Sequence, residues 1–339
     1  MTAVLTQLHV APPVVQRKGK RAGLWPFLAL IGGLAALPLF LAPYSLVLMV
    51  PVIAFGIALL GMNLLFGYTG MLSFGHSIFL AVGAYAAAVA TSKMGVVHLE
   101  LVLLLACAAG AVLALAVGAL CVRYTHIFFG MLTLAFGMLC HSFLFKFYNL
   151  TGGDQGMRVL RPSLLGISWE GGATSFLSGP FYYYCLALYI GLGLVMWRVV
   201  QSPFGLHLKA IRENEVKASY VGVRVYRMRL CAFVISGVYG SVAGALMAVT
   251  TGLADPEIAY WTQSGNLIFM MVLGGSGSFS GPAIGALLFA LLHDALVTTT
   301  EYWRFLLGAI LVSIVIFMPQ GVVGTVANVY ARMKQRGSA

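Results

Sequence analysis

The sequence predicts an all-α polytopic membrane protein with about ten transmembrane helices and glycine-rich breaks. Hydrophobic residues make up 60% of the 339 residues, charged residues only 9%, and the mean hydropathy is +0.95. Soluble domains carry about a quarter charged residues, so most of this chain must face something other than water. The uncharged runs are long enough to cross a bilayer, and they lack the short alternating segments of a β-barrel.

The individual spans follow from the positions of the charged residues. Residues 22–92 contain no Asp, Glu, Lys or Arg, and a spanning helix needs about 20 apolar residues, so this run is predicted to hold three spans. Residues 258–293 are predicted to hold two. Single spans are predicted in the uncharged runs 101–122, 127–145, 176–197, 230–254 and 305–331. The sequence thus divides into a basic tail (1–21), a transmembrane domain (22–331) with loops at 149–175 and 202–229, and a second tail (332–339).

Lysine and arginine positions predict the orientation of the chain. With the N-terminus inside and ten spans, fifteen Lys and Arg residues fall inside and five outside, which is the bias expected of cytoplasmic loops. Both termini and Glu213 are therefore expected in the cytoplasm, with Asp154 and Glu257 outside. The net charge of +11 follows from this topology and does not indicate nucleic-acid binding, which requires a basic stripe on a water-soluble fold. The N-terminal tail lacks the apolar region of a signal peptide, so it is expected to be retained.

Three glycine-rich stretches interrupt the apolar runs: residues 63–85, 151–157 and 273–282. Small residues allow membrane helices to approach closely, so packing is one interpretation of these glycines. Transporters also place substrate where helices break, because unwound backbone at membrane depth is tolerated only beside a cavity. The second interpretation gives the candidate substrate pathway, which consists of Asn63, Gly67, Ser73, Gly75, His76, Phe79, Gly83, Tyr85, Gly274 and Gly275.

No cofactor, metal or nucleotide site is predicted. The five cysteines form no CxxC pair and are expected to be apolar packing residues. The glycines at 275–281 follow no predicted strand, which argues against a dinucleotide site, and no GxxxxGK[ST] P-loop occurs. Asp and Glu are absent from the middle of every predicted span, although ion-coupled carriers usually keep such residues there. The energy for transport is therefore expected to come from another subunit, while sodium bound by backbone carbonyls stays an open alternative.

The charged segment 202–229 is predicted to form a short amphipathic helix on the inside. Phe204, Leu208, Ile211 and Ala218 fall on one face, and Glu213 and Lys217 are in the favourable i,i+4 order. Such a helix either lies on lipid headgroups or docks into a groove of a soluble motor domain. In the second interpretation Leu208 and Ile211 sit in the groove, and Gly222 turns the chain back to the membrane. The candidate coupling residues are Leu208, Lys209, Ile211, Arg212, Glu213 and Gly222.

The pattern N-x-x-x-G-x-x-G-x-x-S-x-G-H-x-x-F-x-x-x-G-A-Y from Asn63 to Tyr85 resembles the signature of branched-chain amino-acid ABC transporter permeases of the LivM type. The stretches SPFGLHLKAIRENEVKASYVGVRVYRMRLCAF, TGGDQGM, LGGSGSFSGPAIGA and FMPQGVVG resemble further blocks of that family, in the same order. The resemblance covers roughly residues 25–325. Urea and short-amide permeases are close relatives and stay an alternative. The stretch around Gly222 departs from the Glu-Ala-Ala…Gly pattern of ABC importers. The resemblance therefore implies a docking role for the stretch but does not assign its individual contact residues.

The resemblance implies a permease subunit in a bacterial inner membrane that takes part in alternating access. It also implies a second related permease, two ATP-binding subunits and an extracytoplasmic substrate-binding protein, with ATP hydrolysis on the partner subunits. A self-sufficient secondary carrier is the alternative class. An intramembrane enzyme would need converging carboxylates, metal-type His or Cys spacing, or a nucleophile beside a base, and the sequence shows none of these.

Overall fold

The computed structural model describes residues 24–40, 42–164, 166, 172–276, 278–318 and 321–325. The predicted tails at 1–21 and 332–339 lie outside the described residues. The α-helices are, in chain order, α1 (Leu24–Ala36), α2 (Pro43–Asn63), α3 (Ser77–Ala88), α4 (Leu99–Cys121), α5 (His126–Lys146), α6 (Tyr148–Thr151), α7 (Ala173–Ser178), α8 (Pro180–Gln201), α9 (Pro203–Glu213), α10 (Glu215–Tyr220), α11 (Val225–Thr251), α12 (Trp261–Gly274), α13 (Gly281–Thr299) and α14 (Trp303–Phe317). Residues 321–325 are also helical.

Shorter elements extend or connect these helices. A π-helical turn continues α2 over Leu64–Thr69, and another continues α3 over Val89–Lys93. Short 3₁₀ turns cover Leu37–Leu39, Gly153–Gln155 and Pro256–Ala259. Two strands of two residues each, β1 (Met157–Arg158) and β2 (Leu253–Ala254), pair antiparallel with Met157 opposite Ala254.

The prediction of an all-α polytopic membrane protein is confirmed. Within the described part of the chain, six helical segments are long and apolar enough to cross a membrane: Pro43–Thr69, Leu99–Cys121, His126–Lys146, Thr174–Gln201, Val225–Thr251 and Gly281–Thr299. Shorter apolar helices cover Phe27–Ala36, Ser77–Lys93 and Trp303–Ile314. These nine segments and α12 correspond one to one with the ten runs expected from the charge pattern. The number of spans itself stays a prediction, because four of the ten helices are short.

Helix α11 lies at the centre of the fold and packs against α2, α3 and α4. Its 27 residues carry glycine and serine at helical spacing, which allows neighbouring backbones to approach closely. A Cβ atom added to Gly244 would collide with the backbone carbonyl of Leu80, and one added to Gly83 would collide with that of Ser241. Close glycine contacts on both helices therefore hold α3 against α11.

The connections gather at the two ends of α11. At the end that precedes the helix, α9 contacts the π turn Leu64–Thr69, and Gly321 packs against Gly275. At the other end, β2 follows α11 and pairs with β1, which comes directly after the 3₁₀ turn Gly153–Gln155. A helix of 27 residues is about 40 Å long, enough to separate these two groups by the thickness of a bilayer. Glu213 and Asp154 thus lie at opposite ends of the molecule, and which end faces the cytoplasm stays a prediction.

The segment 202–229 differs from the single helix that its amphipathic pattern predicts. It contains two helices, α9 and α10, with Asn214 between them in an extended conformation (φ −160°, ψ 105°). The Asn214 side chain accepts a hydrogen bond of 2.9 Å from the backbone N–H of Lys217, which caps α10. Because Asn214 interrupts the helix, Glu213 and Lys217 are not one helical turn apart, and no ion pair joins these two described residues.

Candidate functional site

The first glycine-rich break joins α2 to α3 through Gly70, whose φ of +78° favours glycine, and a non-helical segment that ends at His76. Polar atoms in and beside this segment are buried. Among the described residues, Asn63 Oδ1, Ser73 Oγ, His76 Nδ1 and Tyr85 OH have no hydrogen-bond partner. Buried polar atoms are normally paired, so the unpaired Ser73 Oγ and His76 Nδ1 in the break, with Asn63 Oδ1 before it, indicate a region that binds polar ligands or water, while Tyr85 lies farther along α3.

The polar groups of the break also make specific contacts within the chain. Asn63 donates a hydrogen bond of 3.1 Å from Nδ2 to the backbone carbonyl of Ser278, which joins the first break to the third. His76 Nε2 lies 3.4 Å from the Ser236 hydroxyl on α11, and the His76 ring contacts Phe79 edge-on at 5.2 Å. The break is therefore held by α11 and by the loop between α12 and α13.

Most of the predicted pathway glycines bring backbones into contact. A Cβ on Gly75 would collide with the Thr133 carbonyl of α5, and one on Gly274 would collide with the Gly281 carbonyl. A Cβ on Gly67 would collide with the Ser276 carbonyl, while Gly275 has a φ of +97°. This geometry supports the packing interpretation for these glycines. A pathway role for them stays a prediction.

The ten candidate pathway residues divide by position into three groups along the fold. The group at the third break and the π turn, near α9, is Asn63, Gly67, Gly274 and Gly275; the central group at the start of α3 is Ser73, Gly75, His76 and Phe79; the group farther along α3 towards β1 and β2 is Gly83 and Tyr85.

Helices α3 and α12 begin at the same place, and a pair of buried serines joins them. The backbone N–H of Ser77 donates to Ser264 Oγ at 2.9 Å, Ser264 Oγ donates to Ser77 Oγ at 2.7 Å, and Ser77 Oγ donates to the Ala259 carbonyl at 3.1 Å. From this junction α3 runs to the end that carries β1 and β2, and α12 runs to the end that carries α9. Half-length helices that begin inside the membrane are typical of transporter sites. Sequence analysis missed Ser264, because no glycine or charge marks it.

Helix α9 is attached to the π turn at the end of α2 by two cationic side chains. Arg212 donates a hydrogen bond to the backbone carbonyl of Gly67. The Lys209 ammonium lies 5.2 Å from the centre of the Tyr68 ring, a cation–π distance. These residues, with Glu213 and Ser276, line a cavity of about 450 Å³ between α9, the π turn and the third break. Arg212 and Lys209 therefore contact this chain's own break.

The side chains of Leu208 and Ile211 on α9 point in a different direction from the predicted one. Both were expected to face a partner, but they are 0% and 3% exposed and pack inside this chain. Their burial follows from the amphipathic pattern itself, because the apolar face turns towards the rest of the fold. The most exposed apolar side chains of this segment are Leu206 (67%), Tyr220 (84%) and Val221 (79%), and Val216 and Tyr226 are also exposed. Gly222 adopts a φ of +87°, and a methyl group added there would meet no atom within 4 Å, so the turn requires glycine for its conformation alone.

Glu215 interrupts the apolar stripe of this segment, and the structure shows why. Its carboxylate accepts two parallel hydrogen bonds of 2.8 Å from the Arg229 guanidinium of α11. The Arg229 side chain is almost fully buried, while Glu215 is partly exposed. The ion pair therefore fastens α10 to the first turns of the central helix.

Comparison with known proteins identifies the family. The family model described as "Branched-chain amino acid transport system / permease component" matches residues 44–315. The LivM permease protein of the Escherichia coli K12 high-affinity branched-chain amino acid transport system is 30% identical over 283 residues, which cover 77% of this chain and 66% of LivM. The LivH permease protein of the same organism is 26% identical over 78% of this chain and 89% of LivH.

A galactose/methyl galactoside import permease protein, MglC of Haemophilus influenzae, is 24% identical over 65% of this chain and 67% of MglC. No solved structure matches the chain significantly. The chain spans just under two thirds of the length of the LivM relatives. The family match covers most of the chain and, of the ten apolar helices, leaves out α1, the first residue of α2 and the last two residues of α14. This protein therefore belongs to the family of branched-chain amino acid transport system permease components.

Proposed function

We propose that this chain is a permease subunit of an ABC importer in a bacterial inner membrane, and that it moves branched-chain or related amino acids by alternating access. The names of LivM and LivH support the substrate class. Because the chain is similar to both, we propose that it works beside a second, related permease. Two ATP-binding subunits would supply the energy, and an extracytoplasmic binding protein would deliver the substrate.

The attachment of α9 to the first break is the observation that carries this proposal. An exposed helix that contacts an ATPase transmits motion only if it is fixed to the transmembrane region. Arg212 and Lys209 provide two such contacts at the π turn, and Asn63 continues the connection to the third break. A displacement of α9 would therefore move both breaks, which lie at the ends of α2 and α12.

The ATPase contact is proposed for the outer surface of α9 and α10. Glu213 and the exposed apolar residues Leu206, Tyr220 and Val221 lie on that surface, whereas Leu208 and Ile211 form the packing beneath it. Charged groups at the rim of such an interface usually determine specificity more than affinity. In this proposal both termini, α9 and the third break lie in the cytoplasm, with Asp154 and Glu257 outside, as the distribution of Lys and Arg predicts.

Reconstitution tests the proposal. The permease is incorporated into proteoliposomes with and without candidate ATPase, partner-permease and binding-protein subunits from the same genome. We expect uptake of labelled L-leucine, L-isoleucine or L-valine only with the complete set and ATP. Leucine movement by the permease alone would instead identify a secondary carrier, and uptake of urea but not of leucine would identify the short-amide branch.

A further inference from the structure

A cavity of about 340 Å³ opens between α2, α12 and α13, away from the predicted pathway residues. Leu48, Val52 and Phe55 of α2 and Phe289 of α13 form an apolar wall. Cavities of this size hold small ligands. The position of the lining residues along α2 and α13 places the cavity towards the end of the molecule that carries β1 and β2. Asp294 is five residues from the end of α13, which is about 8 Å along the helix axis.

Polar side chains occupy the opposite wall. Asn266 donates a hydrogen bond of 3.2 Å from Nδ2 to Gln263 Oε1, which leaves the Gln263 amide N–H groups available to a ligand. The His293 ring packs between Phe289 and Trp303, with ring centres 6.3 and 4.8 Å away. Asp294 lies at the rim, and no cation pairs with its carboxylate among the described residues.

Pro51 leaves one backbone carbonyl of α2 without its helical hydrogen-bond donor. It lies inside α2 and lines the cavity, and it has no N–H with which to bond the carbonyl of Val47, four residues earlier. That carbonyl is available to a donor in the same region of the helix. Two amide side chains and a carboxylate facing lipid would be costly, because buried polar groups without partners destabilise a fold. These groups therefore favour a polar occupant.

We infer that this cavity binds the transported amino acid as a zwitterion, which rests on the proposed function and specifies where the substrate sits. The ammonium group interacts with the Asp294 carboxylate at the rim of the cavity. The carboxylate accepts hydrogen bonds from the Gln263 and Asn266 amides near the beginning of α12, where the helix dipole also favours an anion. The branched side chain packs against Val52, Phe55 and Phe289.

Protection from thiol labelling tests this site in membranes that contain the complete transporter. Ala290 lines the cavity and is replaced by cysteine in a chain whose Cys107, Cys140 and Cys231 are changed to alanine. Ala295→Cys on another face of α13 is the matched control. We expect saturating L-leucine to slow maleimide labelling of Ala290→Cys about tenfold, as for an occupied site, and to leave Ala295→Cys unaffected. Urea, which lacks a carboxylate and a side chain, should protect neither.

Two variants assign the polar contacts. In the Ala290→Cys chain, Asp294→Asn should raise the leucine concentration needed for half-protection about tenfold, because it removes a charge-assisted hydrogen bond. Glu301→Gln, which neutralises an exposed carboxylate at the same end, should leave it unchanged. Asn266→Leu should abolish protection while the variant still accumulates in the membrane.

The outcomes separate this inference from the proposed function. Leucine uptake by the complete transporter without protection of Ala290→Cys would overturn the site and leave the proposed function standing. Labelling that appears only when the partner permease is absent would show that the cavity is a subunit interface, which also overturns the site. Absence of leucine uptake by the complete transporter would overturn both.

Discussion

Arg229 and Glu215 join the central helix to the loop that precedes it through two hydrogen bonds of 2.8 Å each. Parallel hydrogen bonds between a guanidinium and a carboxylate have a fixed geometry, so they restrict the angle between α10 and α11. Glu215 is the residue that breaks the apolar pattern of this segment. The one charged residue in the apolar stripe is thus the residue that pairs with Arg229 and holds the loop against α11.

Loss of this ion pair should loosen α10. Glu215→Gln leaves the buried Arg229 without its charged partner and is expected to cost about 2 kcal/mol, between the values for exposed and buried pairs. Thermal unfolding of the purified protein in detergent measures this cost. Exchange of the two residues, Glu215→Arg with Arg229→Glu, should recover part of the stability. An unchanged melting temperature in Glu215→Gln would show that α10 is held by other contacts.

The two faces of α9 and α10 should respond differently to charge. Leu208→Asp places a carboxylate in a fully buried position and should reduce the amount of folded permease in the membrane. Tyr220→Asp with Val221→Asp changes exposed side chains, so the permease should fold while co-purification with the ATPase is lost. Retention of the ATPase by the Tyr220 and Val221 variant would show that the docking surface lies outside these two residues.

Alanine at Gly75 should destabilise the fold rather than block transport selectively. The added methyl group meets the Thr133 carbonyl of α5, and overpacking of this kind costs roughly 1–3 kcal/mol. Gly75→Leu should destabilise the fold further, whereas a residue that only lined a pathway would tolerate the bulk and lose transport alone. Gly222→Ala provides a comparison without a steric contact, since only its backbone conformation is strained. Membrane accumulation by immunoblot distinguishes these effects, and normal accumulation of Gly75→Leu would restore the pathway interpretation.

The serine junction should be sensitive to loss of a single hydroxyl. Ser264→Ala removes the acceptor of the Ser77 N–H and the donor to Ser77 Oγ, and an unpaired buried group costs roughly 1–3 kcal/mol. We expect a lower melting temperature and slower transport. Ser313→Ala, whose exposed hydroxyl bonds only its own helix, is the control. Equal behaviour of the two variants would show that α3 and α12 do not depend on this contact.

Cysteine accessibility tests the orientation. A membrane-impermeant maleimide applied to intact cells should label Asp154→Cys, and Glu213→Cys should react only after the membrane is opened. The expectation rests on the distribution of Lys and Arg and on the position of the two residues at opposite ends of α11. Reaction of Asp154→Cys from the inside alone would invert the topology.

The sequence by itself determined the fold class, the positions of the ten apolar helices and the amphipathic character of segment 202–229. Hydrophobicity and charge are local properties, and the cost of placing charge in lipid is large enough to fix where helices begin and end. The motifs also indicated the family, because their order along the chain carries that information without any knowledge of contacts.

Only the tertiary structure decided which way each face points. An amphipathic pattern does not say whether Leu208 packs inside its own chain or against a partner, since both bury the same apolar area. The glycines at 75, 83 and 274 allow close packing or a cavity wall with equal ease, and the neighbouring backbone determines which occurs. Gln263 and Asn266 lie on α12 and Asp294 lies on α13, so their convergence on one cavity depends on how the two helices pack against α2.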